Sequence, residues 1–129
     1  MRVLIVDDET LARRFLAELL EEVPEVEIVG EAANGFEAVQ LAERLRPDLL
    51  LLDIQMPKLS GFEVLELLGP EAPAVVFVTA YDEYALKAFE VHAVDYLLKP
   101  VDPARLAAAL ERVEERLRTH APAPAPGAG

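Results

Sequence analysis

Cysteine is absent from the sequence, and its absence excludes a disulfide scaffold, a thiolate zinc site, an iron–sulfur cluster and a cysteine nucleophile. The chain also lacks an apolar run of membrane-spanning length, and its first residues resemble neither a signal nor a transit peptide. Basic residues are scarce: 12 lysines and arginines stand against 24 aspartates and glutamates, for a formal net charge of -12. A chain this acidic binds nucleic-acid phosphates or an anionic membrane poorly by itself. We therefore expect a cytoplasmic protein that contacts neither of them directly.

The length and composition suit one folded domain. A chain of 129 residues has the size of a single domain, and 53% hydrophobic residues supply enough apolar material for a core. The composition changes only near the end, where residues 120–129 are rich in alanine, proline and glycine. Such a segment favours an extended spacer, although a frayed terminus is the alternative. We expect a domain over 1–119 and a linker over 120–129 toward a further C-terminal domain.

Short apolar runs predict five strands. The runs over 3–6, 49–52 and 75–78 are unbroken, as in parallel strands that are covered on both faces. The run over 26–28 alternates between apolar and polar residues, as a half-covered edge strand does. Residues 94–98 give the fifth strand.

Helical periodicity separates these strands and predicts five helices. Starts that resemble capping boxes open the second helix at Asn34 and the third at Ser60, the fourth helix covers about 83–91, and Pro103 opens the fifth. The predicted apolar face of the first helix is Leu11, Phe15, Leu19 and Val23. That of the fifth is Leu106, Ala109, Leu110, Val113 and Leu117. Strict alternation of strand and helix predicts an α/β fold, a doubly wound five-stranded parallel sheet with helices on both faces.

Polar residues follow four of the five predicted strands. They are Asp7, Asp8 and Glu9 after the first strand, Asp53 after the third, Thr79 after the fourth, where the small Ala80 comes next, and Lys99 after the fifth, where Pro100 comes next. Ligands of such sheets bind outside the carboxyl ends of the strands, so these side chains are predicted to converge at one edge. Crowded carboxylates repel each other without a cation, and oxygen ligands favour Mg²⁺ over zinc. With the metal bound, Asp53 could attack phosphorus while Lys99 offsets the phosphoryl charge and Thr79 donates a hydrogen bond.

Each of these residues has a structural alternative when it is taken alone. Asp8 could simply cap the first helix, and a lysine before a proline is usually a solvated loop residue. The agreement of four strand ends favours a common site over these separate roles.

Four motifs make the sequence resemble the receiver domain of bacterial two-component response regulators, over essentially the whole chain to about Thr119. They are Val6-Asp7-Asp8-Glu9, Leu52-Asp53-Ile54-Gln55-Met56-Pro57 with Gly61, Val78-Thr79-Ala80, and Tyr96-Leu97-Leu98-Lys99-Pro100. The stretch over 79–90 also resembles the LytR/AlgR subclass, whose members carry a LytTR DNA-binding domain after the receiver. The resemblance implies the flavodoxin-like receiver fold, with strand order 2-1-3-4-5.

The resemblance also implies a role for each matching residue. Asp53 would accept a phosphoryl group from a histidine of a sensor kinase. The ligands of Mg²⁺ would be Asp8, Asp53, the backbone carbonyl of Gln55 and, through water, Asp7. The phosphoryl-binding residues would be Thr79, Ala80 and Lys99, the switch residues Thr79 and Tyr96, and the structural residues Pro57, Gly61 and Pro100. The Lys99–Pro100 bond would be cis, a conformation that is costly enough to need a reason.

A receiver of this kind is a signalling protein that catalyses only its own phosphorylation and dephosphorylation. Phosphorylation would bias the face formed by the fourth helix, fifth strand and fifth helix toward a homodimer. DNA would be contacted only by the further C-terminal domain. Gln55 and Tyr81 flank the site at positions that vary within the family, so they could change the lifetime of the phosphorylated state.

Three alternatives stay open. A Mg²⁺-dependent phosphatase of the haloacid-dehalogenase type also uses an aspartyl nucleophile, but in a spaced Asp-x-Asp pattern, whereas Asp7 and Asp8 are adjacent and followed by Glu9. A flavin-binding flavodoxin-like module needs a phosphate cradle in the first loop, where these three residues would repel phosphate. A stand-alone receiver would act through protein contacts alone.

Overall fold

The computed structural model describes residues 1–119, which form one parallel sheet flanked by helices. The strands are β1 (Arg2–Val6), β2 (Glu27–Ala32), β3 (Leu49–Leu52), β4 (Ala74–Thr79) and β5 (Asp95–Leu98). The helices are α1 (Thr10–Glu21), α2 (Gly35–Leu45), α3 (Gly61–Leu68), α4 (Ala85–Glu90) and α5 (Pro103–Thr119), with one 3-10 turn at Gly69–Glu71. The sheet order is β2-β1-β3-β4-β5, which confirms the predicted fold class. The linker predicted over 120–129 lies outside the described residues.

Burial of the strands follows their apolar pattern. All four leucines of β3 are buried, and β1 and β4 are buried beyond their first residues, because helices cover both faces of these inner strands. Only the last residue of the edge strand β2, Ala32, is buried. In the β1–β3 pair, Val6 stands opposite Leu52. This register brings the residues that follow them, Asp7 and Asp53, side by side at the carboxyl edge of the sheet.

Two apolar layers cover the sheet, one on each face. Leu16 and Leu20 of α1 pack with Leu110 of α5 against one face. Phe62 of α3 and Ala88 of α4 belong to the layer on the other face, which α2 also covers. The predicted placement of helices on both faces is therefore confirmed. Within residues 1–119, no helix combines the length and apolar character that a membrane crossing requires.

The predicted starts of the second and third helices are confirmed by their capping contacts. The Asn34 side chain accepts a hydrogen bond from the backbone N–H of Glu37, whose carboxylate in turn accepts one from Ala33. Ser60 and Glu63 form a complete capping box at the start of α3. These contacts satisfy backbone donors that the first helical turn leaves without partners.

The predicted apolar face of the first helix is wrong in part. The fully buried residues of α1 are Leu16 and Leu20, whereas Leu11 is 76% exposed and Phe15 is 42% exposed. Leucines lie on two neighbouring faces of this helix, and their spacing alone does not decide which face packs against the sheet. Leu19, from the predicted face, is partly buried against the same core.

The fourth helix is shorter than predicted and spans Ala85–Glu90 instead of 83–91. Tyr84 occupies its N-cap position without providing a side-chain hydrogen bond to the helix, and Ala88 is its one buried residue. His92 follows with a positive φ of 62°, which ends the helical backbone. Few contacts therefore stabilise α4 within the described chain.

The boundaries of four strands differ from the prediction: β1 begins one residue earlier, at Arg2, and β4 is longer by one residue at each end, from Ala74 to Thr79. β2 continues to Ala32, beyond the predicted end at residue 28, because it stays paired with β1 as far as Val6. β5 begins at Asp95, one residue later than predicted. Periodicity is a weak guide to strand ends, since these are set by pairing with the neighbouring strand.

Candidate functional site

The carboxyl ends of β1, β3 and β5 bring three charged side chains together, as predicted. The Lys99 ammonium lies 2.6 Å from an Asp7 carboxylate oxygen and 3.1 Å from an Asp53 oxygen. The side chains of Asp7 and Asp53 are only 1% and 8% exposed, so both ion pairs are largely shielded from water. One amine thus compensates two buried carboxylates, and the site keeps a local excess of negative charge.

This arrangement shifts the pKa values of two of its members. Burial raises the pKa of Asp53 above its ordinary 3.8, and the charge on Asp7 adds to the rise, although Lys99 opposes it. Burial alone would lower the pKa of Lys99, but its hydrogen bond to Asp7 and the two nearby carboxylates outweigh burial and raise it. Lys99 therefore remains charged at neutral pH.

A third carboxylate completes a group that could hold a metal ion. One oxygen each from Asp7, Asp8 and Asp53 lies within 4.8 Å of the others, and Asp8 is the exposed member. The donors are all carboxylate oxygens, and the ligand set includes no sulfur or imidazole, which fits a hard cation such as Mg²⁺. An exposed ligand leaves the water access that Mg²⁺ needs, because this ion retains several waters in proteins.

The backbone around Asp7 and Asp53 is fixed by local hydrogen bonds. The N–H of Asp53 donates to the Val6 carbonyl at 3.0 Å, and the Asp7 side chain accepts from the Glu9 N–H at 2.9 Å. The guanidinium of Arg13 donates to the Asp7 carbonyl at 2.7 Å. Sequence spacing does not indicate this role of Arg13, since no spacing rule links the residue to the end of β1.

The predicted structural residues follow β3 and β5: Pro57 lies in the loop after β3, Gly61 is the first residue of α3, and Pro100 comes after β5. A Cβ added at Gly61 would lie 2.5 Å from the Asp53 carbonyl oxygen, so this position needs glycine to let α3 approach the loop. The carbonyl of Pro57 accepts the Leu59 N–H in the same loop. The Lys99–Pro100 peptide bond is cis, as predicted.

Thr79 and Tyr96, the predicted switch pair, both contact the backbone of Tyr81. Thr79 is the last residue of β4 and fully buried, and its hydroxyl accepts the Tyr81 N–H at 3.4 Å. The Tyr96 hydroxyl donates to the Tyr81 carbonyl, and burial raises the pKa of Tyr96. Ala80 lies between Thr79 and Tyr81 in the chain and is exposed. The loop at Tyr81 therefore connects the two residues, a link that sequence spacing does not indicate.

Gln55 makes a further contact that the sequence does not indicate. Its side-chain amide donates to the Tyr84 hydroxyl at 2.8 Å, which joins the loop after β3 to the start of α4. The two residues are 29 positions apart, so no local pattern predicts their contact.

The comparisons with known proteins agree with this geometry. The sequence pattern of the family described as "Response regulator receiver domain" matches residues 3–111. The "Transcriptional regulatory protein BtsR" of Escherichia coli strain K12 is 55% identical over 116 residues, which are 89% of this chain and 48% of that protein. An "Uncharacterized response regulatory protein" of Vibrio cholerae is 53% identical over 121 residues, or 93% of this chain and 50% of that one. The chain thus spans about half the length of these curated relatives.

Solved structures show the same fold. The response regulatory domain of protein mrkE from Klebsiella pneumoniae superposes with a TM-score of 0.83 at 33% identity, covering 93% of this chain and all of that one. The REC domain of AraT, a response regulator from Geobacillus stearothermophilus, gives a TM-score of 0.81 at 37% identity, with 92% and 95% of the two chains covered.

Proposed function

The chain belongs to the response regulator receiver domain family, and on that premise we propose that Asp53 is its phosphoacceptor. Members of this family are signalling domains whose general partner is a histidine kinase. Membership in the family therefore argues against the phosphatase and flavin-binding alternatives. The observation that best supports the assignment is the Lys99 amine held between Asp7 and Asp53 beside an exposed third carboxylate. Of the two buried carboxylates, Asp53 is the one farther from Lys99.

In the proposed reaction, a carboxylate oxygen of Asp53 attacks the phosphorus of a kinase phosphohistidine. A P–O bond forms as the P–N bond breaks, and the histidine nitrogen leaves with the bonding electron pair. Lys99 would offset the charge on the phosphoryl oxygens. The hydroxyl proton of Thr79 and the backbone N–H of Ala80 would donate to the same oxygens.

The proposed metal ligands are Asp8, Asp53, the Gln55 carbonyl and, through water, Asp7. Mg²⁺, when bound there, would neutralise the carboxylates and the incoming phosphoryl oxygens. The three carboxylates within 4.8 Å of one another support this assignment, because the single Lys99 amine offsets only part of their mutual repulsion.

The proposed output is a phosphorylation-dependent homodimer. Thr79 and Tyr96 meet at the Tyr81 backbone, so movement of Thr79 toward a phosphoryl group would disturb the loop before α4. The face of α4, β5 and α5 carries exposed apolar side chains, among them Leu86 at 71% and Phe89 at 79% exposure. A second copy of the chain would cover them.

We assign the whole protein to the LytR/AlgR subclass and to the control of transcription in the cytoplasm. The E. coli relative is described as a transcriptional regulatory protein, and it is about twice as long as the matched segment. A C-terminal LytTR domain reached through 120–129 would then contact DNA. The net charge of -12 supports DNA binding outside this chain.

The phosphoacceptor assignment is tested by incubating the protein with Mg²⁺ and acetyl phosphate and measuring its intact mass. We expect one added phosphoryl group on the parent protein and none on Asp53→Asn. The matched control is Asp82→Asn, since Asp82 is an exposed aspartate outside the carboxylate cluster.

The control variant should gain the phosphoryl group as the parent does, and chelation of Mg²⁺ should abolish the gain in both. A folded parent protein that gains no mass, or an Asp53→Asn variant that gains as much as the parent, would refute the assignment.

A further inference from the structure

A hydrogen bond between two loops fastens the start of α4 to the loop that follows β3. The Gln55 amide nitrogen donates to the Tyr84 hydroxyl at 2.8 Å. Gln55 lies two residues beyond Asp53, and Tyr84 is the N-cap residue of α4. The bond therefore links the immediate surroundings of Asp53 with a helix that lies on another part of the surface.

Aromatic packing fixes the Tyr84 ring, so its hydroxyl is held in place for Gln55. The ring lies edge-on to Phe62, with centroids 6.1 Å apart, and Phe62 packs in turn on buried Phe77 at 4.9 Å. The Lys87 ammonium, one turn along α4, lies 4.5 Å from the centre of the Phe62 ring. A pre-ordered hydroxyl loses little side-chain entropy when it forms a hydrogen bond.

Few other contacts hold α4. The helix has six residues, it lacks a side-chain cap, and Ala88 is its one buried member. Such a segment sits at the low end of local stability, where opening costs little free energy. One hydrogen bond at its first turn is therefore a substantial part of what keeps α4 folded.

From this geometry we propose that Tyr84 is a positioning residue for the metal site, acting through Gln55. This inference rests on the proposed function, in which the Gln55 carbonyl is a ligand of Mg²⁺. A side chain anchored at Tyr84 restrains the rotation of the Gln55 backbone and so preorganises that carbonyl. Coupling between two sites is reciprocal, so bound Mg²⁺ must stabilise α4 by the same factor by which an ordered α4 favours Mg²⁺. This coupling between the metal site and α4 is separate from the coupling proposed through Thr79 and Tyr96.

The test compares Tyr84→Phe, which removes the hydroxyl and keeps the ring, with Tyr81→Phe as the matched control. Tyr81 packs edge-on against Tyr84, and its hydroxyl has no hydrogen-bond partner among residues 1–119. Calorimetric titration of the 129-residue protein with Mg²⁺ gives the affinity. Hydrogen exchange at the amides of Ala88 and Val91, which bond to Tyr84 and Lys87, reports on α4 with and without Mg²⁺.

In the parent protein and in Tyr81→Phe, Mg²⁺ should slow exchange at these two amides. In Tyr84→Phe the affinity for Mg²⁺ should fall about two- to fivefold, the effect of one exposed hydrogen bond. Exchange in α4 should become faster without metal and should no longer respond to Mg²⁺. The urea midpoint for global unfolding should remain that of Tyr81→Phe, which separates positioning from a general loss of structure.

A Gln55→Ala variant and the double variant complete the cycle. If Tyr84 acts through Gln55, Tyr84→Phe should have no further effect on Mg²⁺ affinity or α4 exchange once the Gln55 side chain is gone. Additive effects would overturn the inference, and so would Mg²⁺ binding by Tyr84→Phe with unchanged affinity and unchanged α4 exchange. A parent protein that binds no Mg²⁺ would instead refute the metal site of the proposed function, and this coupling with it.

Discussion

At the scale of single residues, the site is governed by how one amine is shared between two buried carboxylates. Lys99 lies 0.5 Å closer to Asp7 than to Asp53, at 2.6 against 3.1 Å. Burial and the neighbouring Asp7 charge together outweigh Lys99 at Asp53 and raise its pKa. Ionised Asp53 is therefore the less well compensated group, and a cation or a phosphoryl group with its metal would relieve this state.

The raised pKa makes a prediction about stability and pH. A carboxyl whose pKa is higher in the folded than in the unfolded chain destabilises the fold wherever it is ionised. Asp53→Asn should therefore be more stable than the parent protein at pH 7 without metal, by about 1 kcal/mol, the usual scale of a single substitution. This gain in stability should shrink as the pH falls through the folded-state pKa of Asp53. It should vanish below pH 3.8, the ordinary pKa of the group, where Asp53 is protonated in both the folded and the unfolded parent protein.

Urea unfolding between pH 3 and pH 8 in the presence of a chelator measures this difference. The Asp82→Asn control should be no more stable than the parent protein at pH 7, since Asp82 is exposed and lies outside the carboxylate cluster. Added Mg²⁺ should stabilise the parent protein more than Asp53→Asn, because only the parent retains all three carboxylates. An Asp53→Asn variant less stable than the parent at pH 7 would contradict the proposed balance of charges.

At the scale of elements, the sequence predicts what depends on repeating patterns. The four leucines of β3 are bounded as predicted, because a short unbroken apolar run is typical of an inner parallel strand. The start of α3 is predicted because Ser60 and Glu63 cap it locally. The burial of Leu16 rather than Phe15 is not predictable from spacing, since it depends on how α1 is rotated against the sheet.

The same division applies to the candidate site. The meeting of Asp7, Asp53 and Lys99 is predictable, because parallel strands in register end at a common edge. The contact of Gln55 with Tyr84 joins two loops whose shapes are set by tertiary packing. Sequence patterns carry no information about such contacts, so this part of the site becomes visible only in the folded chain.

The start of α3 provides a prediction at this scale. In Gly61→Ala the added Cβ would stand 2.5 Å from the Asp53 carbonyl, so either α3 or the loop must move. We expect a loss of about 2 kcal/mol in unfolding free energy, as for other overpacked positions. Phosphorylation by acetyl phosphate should also become slower, because the displaced backbone carries the Asp53 side chain with it.

Ser60→Ala is the matched control for this effect. It removes the side-chain cap of the same helix and should cost about 1 kcal/mol, but its side-chain bond is to Glu63 and not to Asp53. The control should therefore lose stability while keeping the rate of phosphorylation. If Gly61→Ala is phosphorylated at the parent rate, the close approach of α3 does not position Asp53.

At the scale of the whole molecule, the surface carries its exposed apolar groups unevenly. Among residues 1–119, the three most exposed large apolar side chains are Leu11 of α1 and Leu86 and Phe89 of α4, and Leu98 of β5 is 47% exposed. Beside them, Asp95 binds Arg105 and Arg112 of α5, which fixes β5 to α5. A β5–α5 pair joined by two ion pairs, next to a weakly held α4, is the arrangement expected of a surface that changes when α4 moves.

This surface gives the last prediction, which concerns assembly. Leu86→Ser should weaken the phosphorylation-dependent dimer by about tenfold or more, since burial of a leucine side chain contributes about 1.5–3 kcal/mol. Leu67→Ser is the matched control, because Leu67 is an equally apolar side chain, 59% exposed, on α3. Light scattering after size-exclusion chromatography, with and without acetyl phosphate, measures the dimer.

Thr79→Ala separates the surface from the signal that reaches it. The variant should still gain a phosphoryl group, because Asp53 and Lys99 are intact, but it should dimerise weakly, since the hydroxyl that contacts the Tyr81 loop is gone. Leu86→Ser should show the same pattern through the loss of the interface itself. Equal dimerisation of phosphorylated Thr79→Ala and parent protein would exclude Thr79 as the link to α4 and would leave the Gln55–Tyr84 bond as the route between Asp53 and this face.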